Sequence, residues 1–527
     1  MFSSDAKPCA ESGVGRGDQL ARRDLVLMLV TIVVLMIAVA PLAIYVRVLE
    51  YDEAVFMDVA RNIQRLGLPF RSLGSLRQPA FEHTPLYLYL LSFYARFSET
   101  GVLAARAATF VASLGCVILT FLIGRAICGS IAGFVAALLL AVNSFFTLHA
   151  FFVRMEVPMV LAMLGGLVLI LANEQRQRLW VTFASGVMLA IAFMFKELAI
   201  PFIGWCAIYV VLGCKSQWRA CISALSVLLG PLVFAVALWA GWAWRLSPIA
   251  YINSLRRWLD SISSVNLLDP RVGIGLGQWA QKIGLDLLGP ALVIGLAGGL
   301  LIQFGRLKWR PSGTPWLTPA QGLLWGYLLS AIAISFGVRL KELRHLIGIL
   351  PIACLIIGTS VNWQALVGRV WQADCWGRKG ILGAAIAIFL LSASPLRWPV
   401  GPIASLASWL DPAYGWRLLE NDRFYRVLQL TGRYLQEQTA PSDMITVAHQ
   451  ATVTAYYADR HYLMLYTLRR DAIERVLAQT KYLVWDDEDF QALTRAEVEE
   501  LRLQIEERFT LSATIRDGNR AVKVYRR

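Results

Sequence analysis

Long apolar runs separated by short basic turns dominate the first three quarters of the chain. They cover residues 25–46, 85–97, 102–123, 131–150, 157–172, 179–195, 198–212, 220–244, 283–304, 322–338, 346–359 and 380–393. Runs of this length predict helices that cross a bilayer, since about 20 apolar residues span its hydrocarbon core. The exception is 85–97, whose helix would cover only about 20 Å of a roughly 30 Å core. If that run stays on one side, Arg125, the Glu174/Arg176/Arg178 turn, Lys215/Arg219, Arg306/Lys308/Arg310 and Arg369/Arg378/Lys379 all fall on the side of Arg23. This is the positive-inside pattern, and it gives about eleven spans.

The expected fold is a polytopic α-helical membrane protein of about 11 to 13 transmembrane helices, carrying a small outward-facing α/β domain at its C-terminus. Residues 1–24 form a polar cytoplasmic tail, and residues 25–397 form the membrane domain with surface-lying outer loops at 47–85 and 245–282. From residue 398 the composition becomes that of an ordinary soluble chain. A helix is predicted over 424–438, strands over 444–448, 481–485 and 521–525, and a helix over 493–508.

Composition supports this reading. Of 527 residues, 57% are hydrophobic and 16% charged, and mean hydropathy is +0.55, too apolar for a soluble globular protein. The net charge of +14 sits in the turns between runs, not along one soluble face, so it argues for topology and against nucleic acid. Cys116, Cys206, Cys221 and Cys354 lie inside apolar runs, no CxxC pair occurs, and the segment after 398 has no cysteine. Nothing indicates a disulfide framework or a cysteine-based zinc site. Gly273, Gly275 and Gly277 lack the preceding strand and the third spacing of a dinucleotide fingerprint.

The predicted topology brings four separated stretches to one outer face: Asp52/Glu53, Arg154/Glu156, Lys196/Glu197, and 339–345 with Arg339, Lys341, Arg344 and His345. Ionised groups are costly near hydrocarbon, so a cluster of them pinned at span ends marks a candidate site. Paired carboxylates beside fixed cations suit glycosyl transfer from a lipid phosphate. One carboxylate takes the acceptor proton, and the cations hold the departing phosphate.

Tyr51-Asp52-Glu53, the amphipathic loop with Gly67-Leu68-Pro69, and Glu82-His83-Thr84-Pro85-Leu86-Tyr87 together resemble the first-loop signature of the GT-C glycosyltransferases. Within these, the chain is similar to the protein O-mannosyltransferase superfamily, which includes the aminoarabinose transferases of lipid A. The similarity continues through Arg106, the Gly124-Arg125 turn, Phe152 to Pro158, Lys196, and Arg344-His345 with Pro351. It implies a glycosyltransferase of the bacterial inner membrane with an outward-facing site, inverting at the sugar by one in-line displacement. The implied partners are a polyprenyl-phosphate-linked sugar, a glycan, lipid or protein acceptor, and membrane lipids. No cofactor is required by the resemblance, and a divalent metal ion is left open.

The resemblance implies Asp52 as the catalytic base, with Glu53 supporting it and Glu156 as second carboxylate. Glu156 stands where relatives usually carry Asp, and its role stays open between acceptor binding, a metal or structural contact, and an ion pair with Arg154. Lys196, Arg344 and Arg339 are assigned to the donor phosphate. For Lys196, a side chain reaching to the interface or paired with Glu197 is the alternative. Tyr51, His83, Arg154 and His345 are candidate substrate contacts. His149 reads as a satisfied polar residue within the bundle, and Trp180 and Tyr251 as interfacial belt residues. Two other functions compete: a glycan ligase or polymerase using a lipid-linked oligosaccharide, and a transporter. The latter calls for mid-span ionisable residues or paired broken helices, which the pattern does not show.

Overall fold

The computed structural model describes residues 17–45, 49–72, 78–81, 83–97, 101–174, 178–214, 217–263, 276–307, 317–337, 343–361, 412–448, 451–465, 468, 470–486, 493–518 and 520–527. The apolar runs are helical: α1 (Gly17–Tyr45), α4 (Val102–Cys128), α5 (Ser130–Val142), α7 (Glu156–Asn173), α8 (Leu179–Phe195), α9 (Ile200–Gly213), α10 (Trp218–Leu246), α13 (Gly289–Leu307), α14 (Pro319–Gly337) and α15 (Ile349–Ser360). Shorter elements lie between them: α2 (Tyr51–Leu66), α3 (Leu86–Tyr94), α6 (Ser144–His149), α11 (Pro248–Ser263) and α12 (Leu276–Gln281). The run 380–393 lies outside the described residues.

Fewer runs than expected form single long helices. Among the described residues, four helices are long and apolar enough to cross a membrane, or five if a pair bent by 96° counts as one. Two breaks account for part of the difference. The run 131–150 divides at Asn143, whose Oδ1 accepts from Phe146 N at 2.9 Å and so caps α6. Its Nδ2 also donates to the carbonyls of Leu287 and Leu288 at 3.1 and 3.3 Å. The run 283–304 turns at Gly289, whose φ of 76 ends the π-helical turn Lys282–Leu288. The doubtful run 85–97 is the nine-residue α3 with one 3-10 turn, about 14 Å of helix and too short to cross.

Helix α15 is buried along its entire length and forms the centre of the bundle, against α4, α5, α13 and α14. Small residues let helices approach closely. A Cβ at Gly133 would lie 2.4 Å from the Phe121 carbonyl, and one at Gly124 would lie 2.7 Å from Gly133 Cα. Helix α10 has the opposite character: Val233, Phe234 and Leu238 are more than half exposed, as a lipid-facing surface requires.

Helix α4 carries an ion pair near each end, Arg106 with Glu53 and Arg125 with Asp24 at 3.2 Å. The two arginines are separated by about 28 Å of helix, close to the thickness of a bilayer core. The acidic cluster and the basic turns therefore occupy opposite ends of the bundle. Helix α2 is followed by a small antiparallel pair, β1 (Phe70–Arg71) and β2 (Gln78–Pro79).

The C-terminal residues form helix Pro412–Gln438 and a five-stranded sheet in the order β4-β3-β5-β7-β6. The strands are β3 (Met444–Val447), β4 (His461–Met464), β5 (Tyr482–Trp485), β6 (Thr510–Asp517) and β7 (Arg520–Arg526). Strands β4, β3 and β5 are parallel, joined by helices Ala451–Ala458 and Arg470–Gln479; β7 is antiparallel to β5 and to β6. The predicted elements of this region are present. Sequence reading missed helices 451–458 and 470–479 and strands 461–464 and 510–517.

Alternate residues of β5 serve two cores. Leu483 and Trp485 pack with Leu477, Leu501 and Ile505, whereas Tyr482 and Val484 belong to the hydrophobic cluster continuous with the membrane bundle. The sheet thus docks on the bundle. Tyr462 N, in edge strand β4, donates to the Ser72 carbonyl at 3.2 Å.

Candidate functional site

The site begins where α2 begins. Glu53 reaches back to accept from the Glu50 backbone N–H at 3.0 Å, closing the first turn and aiming consecutive carboxylates in different directions. Glu53 points inward and is fully buried. Arg106 Nε and Nη2 donate to its two oxygens at 3.0 and 2.6 Å, and Val153 N donates to Oε1 at 2.8 Å. This ties α2, α4 and the segment before α7 together.

Asp52 points to the partly open side. Its Oδ2 accepts from Arg154 Nη1 at 2.9 Å and from Arg344 Nη1; among the described residues Oδ1 takes no hydrogen bond. Arg154 spans to Glu50 as well, Nη2 to Oε2 at 2.9 Å. Three stretches far apart in sequence therefore meet at one carboxylate.

Next to this lies a second pair, Lys196 Nζ to Glu156 Oε1 at 2.6 Å, both side chains almost fully buried. Glu156 opens α7 and Lys196 ends α8, so the packing of these helices brings the two together. Glu156 Oε2 is buried with no hydrogen-bond partner among the described residues. The alternative ion pair of Glu156 with Arg154 is not formed: Arg154 is taken by Asp52 and Glu50. Lys196 likewise pairs with Glu156 rather than with Glu197, which faces His83 Nδ1 at 4.0 Å.

His83 and His345 flank the Lys196 pair. Desolvation, with the Lys196 ammonium and Arg71 nearby, pushes His83 down to about 3. His345 is lowered well below the usual imidazole range by burial and by Lys196, although Glu156 opposes the shift. Both rings are neutral at physiological pH, so the fixed positive charges here are Lys196, Arg154 and Arg344. Phe56 meets the His83 ring edge to face at 6.0 Å.

Tyr51 lies at the seam with the C-terminal domain, where the Tyr425 hydroxyl meets its backbone. His149 is a satisfied bundle residue, its Nδ1 2.8 Å from the Phe145 carbonyl and its ring stacked on Phe145 at 4.3 Å. Tyr251 joins an aromatic cluster with Trp239 and Phe81, while Trp180 is exposed. Arg339 lies outside the described residues. Among the described residues no group of three or more His, Cys, Asp or Glu side chains could hold a metal ion. Sequence reading assigned no role to Glu50 or Arg106. Their signal was a charge at each end of a contact: Glu50 inside the acidic stretch, and Arg106 within an apolar run.

An apolar groove of about 230 Å³ lies between α3, α4, α7 and α8. Tyr87, Pro158 and Phe195 line it; Phe195 adjoins Lys196 in the chain, and Pro158 lies in the same turn as Glu156.

In fold the chain is similar to membrane glycosyltransferases of solved structure. More narrowly, residues 82–244 match the family model of dolichyl-phosphate-mannose-protein mannosyltransferase. The structure is similar to ArnT from Cupriavidus metallidurans bound to undecaprenyl phosphate, with TM-score 0.61 at 14% identity, covering 97% of this chain and 98% of that one. It is also similar to the oligosaccharyltransferase AglB from Archaeoglobus fulgidus in complex with an inhibitory peptide and a dolichol-phosphate. There the TM-score is 0.57 at 13% identity, with coverage of 88% and 69%. Comparison with curated proteins by sequence finds no match.

Proposed function

We propose that the protein transfers a sugar from a polyprenyl-phosphate donor to an acceptor hydroxyl at the outer face of a bacterial plasma membrane, where the C-terminal domain also lies. One observation carries this reading: Asp52, whose Oδ1 takes no hydrogen bond among the described residues, sits against Arg154 and Arg344, with an apolar groove lined by Pro158 and Phe195, chain neighbours of Glu156 and Lys196. The groove takes the first part of the lipid tail, which leaves the phosphate among the cations. ArnT bound to undecaprenyl phosphate and AglB bound to dolichol-phosphate, both of this fold, supply the analogy for a lipid-phosphate donor.

In the proposed step, Asp52 Oδ1 accepts the proton of the acceptor hydroxyl as its oxygen bonds to the anomeric carbon. The bond from that carbon to the phosphate oxygen breaks, and its electron pair leaves with the polyprenyl phosphate. A single displacement inverts the anomeric centre. Arg344 and Lys196 stabilise the charge growing on the phosphate, Arg344 as a fork and Lys196 as a point charge. The uncommitted Glu156 Oε2 and the neutral His83 and His345 rings hold sugar hydroxyls. Glu53, with both oxygens engaged, positions Asp52 and touches no substrate.

The test is sugar release from radiolabelled polyprenyl-phosphate monosaccharides in nanodiscs, with candidate acceptors and with water alone. Wild type should turn over one donor, and folded Asp52→Asn should be slower by about 10²- to 10⁴-fold, the usual worth of a general base. Turnover of a lipid-linked oligosaccharide in place of every monosaccharide donor would move the chain to the ligase class.

A further inference from the structure

Asp459 stands outside the site, in the C-terminal domain, and grips the helix that carries Asp52. It follows helix Ala451–Ala458 with a φ of 53, a left-handed conformation uncommon for residues other than glycine, asparagine and aspartate. Its carboxylate holds Arg65 by two parallel hydrogen bonds, Nη1 to Oδ1 at 2.9 Å and Nη2 to Oδ2 at 2.8 Å. It also accepts from Arg61 Nη1 at 3.0 Å. Arg61 is fixed in turn, lying 3.9 Å over the Tyr456 ring and donating to the Tyr456 carbonyl at 2.8 Å.

Arg61 and Arg65 are one turn apart on α2, about 14 to 20 Å farther along the helix axis than Asp52. The same domain holds the beginning of the helix. Leu49 N donates to the Tyr457 hydroxyl at 3.5 Å, and the Tyr425 hydroxyl meets the Tyr51 backbone. One body therefore clasps α2 at both ends. A slide or roll of α2 that moved Asp52 away from Arg154 and Arg344 would have to break the Asp459 pairs too.

We propose that Asp459 is a positioning residue for the transfer reaction, acting through α2 to set Asp52 against its two arginines; the catalytic part of this rests on the transferase reading above. Asp459 contacts no reacting atom. A site on the membrane domain is thus held in register from the sheet domain, along one rigid helix.

The experiment uses the full chain in nanodiscs and compares wild type with Asp459→Gly, Asp459→Asn and Arg65→Met by amide hydrogen exchange, steady-state kinetics and melting. Glycine adopts the same φ freely, so Asp459→Gly removes the grip without adding backbone strain. Exchange should then accelerate about tenfold across residues 52–58 as well as 61–66, because the helix moves as one unit. Displacement of a base by about 1 Å can cost on the order of a hundredfold, so kcat should fall about tenfold or more with donor KM within about twofold. Asp459→Asn, which keeps one acceptor for Arg65, should fall between wild type and Asp459→Gly.

Faster exchange confined to 61–66, unchanged kcat in folded Asp459→Gly, or a loss of activity that only follows lost folded protein would overturn the proposal. Absence of turnover by wild type on every polyprenyl-phosphate donor would sink the transferase reading alone. The exchange pattern would still decide whether Asp459 governs the placement of α2.

Discussion

Asp52 and Glu53 are neighbours in the chain and opposites in the structure. Glu53 is sealed: fully buried, with both oxygens engaged by the Arg106 fork and two backbone N–H groups. Asp52 is partly exposed, shares one oxygen between two arginines from distant segments, and keeps the other uncommitted. The difference shows how one acidic motif divides its labour. A helix turn offsets successive side chains by about 100°, so one carboxylate can lock the helix to the bundle while the next faces the partly open side.

The comparison breaks most visibly at Glu53. Glu53→Ala strands the Arg106 charge in the interior, and should cost about 3 to 5 kcal/mol of stability. Melting in detergent and expression yield should both fall steeply, whereas Asp52→Asn should melt within a few degrees of wild type and fail only in turnover. If Glu53→Ala melts normally, the sealed and open carboxylates are not the different devices described here.

Acid should expose the open region next. His83 stays neutral in the folded chain down to about pH 3, while the unfolded chain takes up a proton near pH 6.5. A lowered histidine pKa leaves stability flat above pH 6.5. Below that, stability declines by up to about 1.4 kcal/mol per pH unit until the folded pKa is reached. Melting scans from pH 8 to 4 should show this decline, and His83→Asn should flatten part of it. An unchanged slope in that variant would return His83 to an ordinary solvated state.

A smaller change sharpens the role of Lys196. Glu156→Gln removes the charge that now engages the ammonium, so polyprenyl phosphate should bind roughly tenfold tighter, about 1.4 kcal/mol. Lys196→Met should weaken it, and titration calorimetry with short-chain polyprenyl phosphate reads both directions. Equal affinities across the three proteins would place the phosphate elsewhere. The smallest effect is expected at Asn143→Ala, which loses the α6 cap and should lower stability by about 1 kcal/mol without altering turnover.

The acidic and basic stretches of the site were legible because charges at the ends of apolar runs are rare and conspicuous. Their pairings were not. Choosing Lys196 for Glu156, and Arg154 for Asp52, depends on how α7, α8 and the segment after α1 pack, and no local spacing encodes that. Span continuity was misread for a related reason. Hydropathy averages over a window, so an apolar run such as 131–150 reads as one helix although Asn143 supplies a cap in its middle. The Gly289-Pro290 break in 283–304 was written in the sequence and was hidden by the same averaging. In the C-terminal domain the four-residue strand 461–464 and its preceding helix escaped notice, being too short to show a period.

The hydrogen bond from edge strand β4 to the Ser72 carbonyl bears on how the protein is made. Ser72 lies in the loop beside the acidic cluster, and β4 in the C-terminal sheet. Until the loop after α1 stands in place, the rim of the sheet offers bare N–H and C=O groups to any passing chain. An assembled bundle therefore covers this edge, and a chain with misplaced helices leaves it open to pairing and proteolysis.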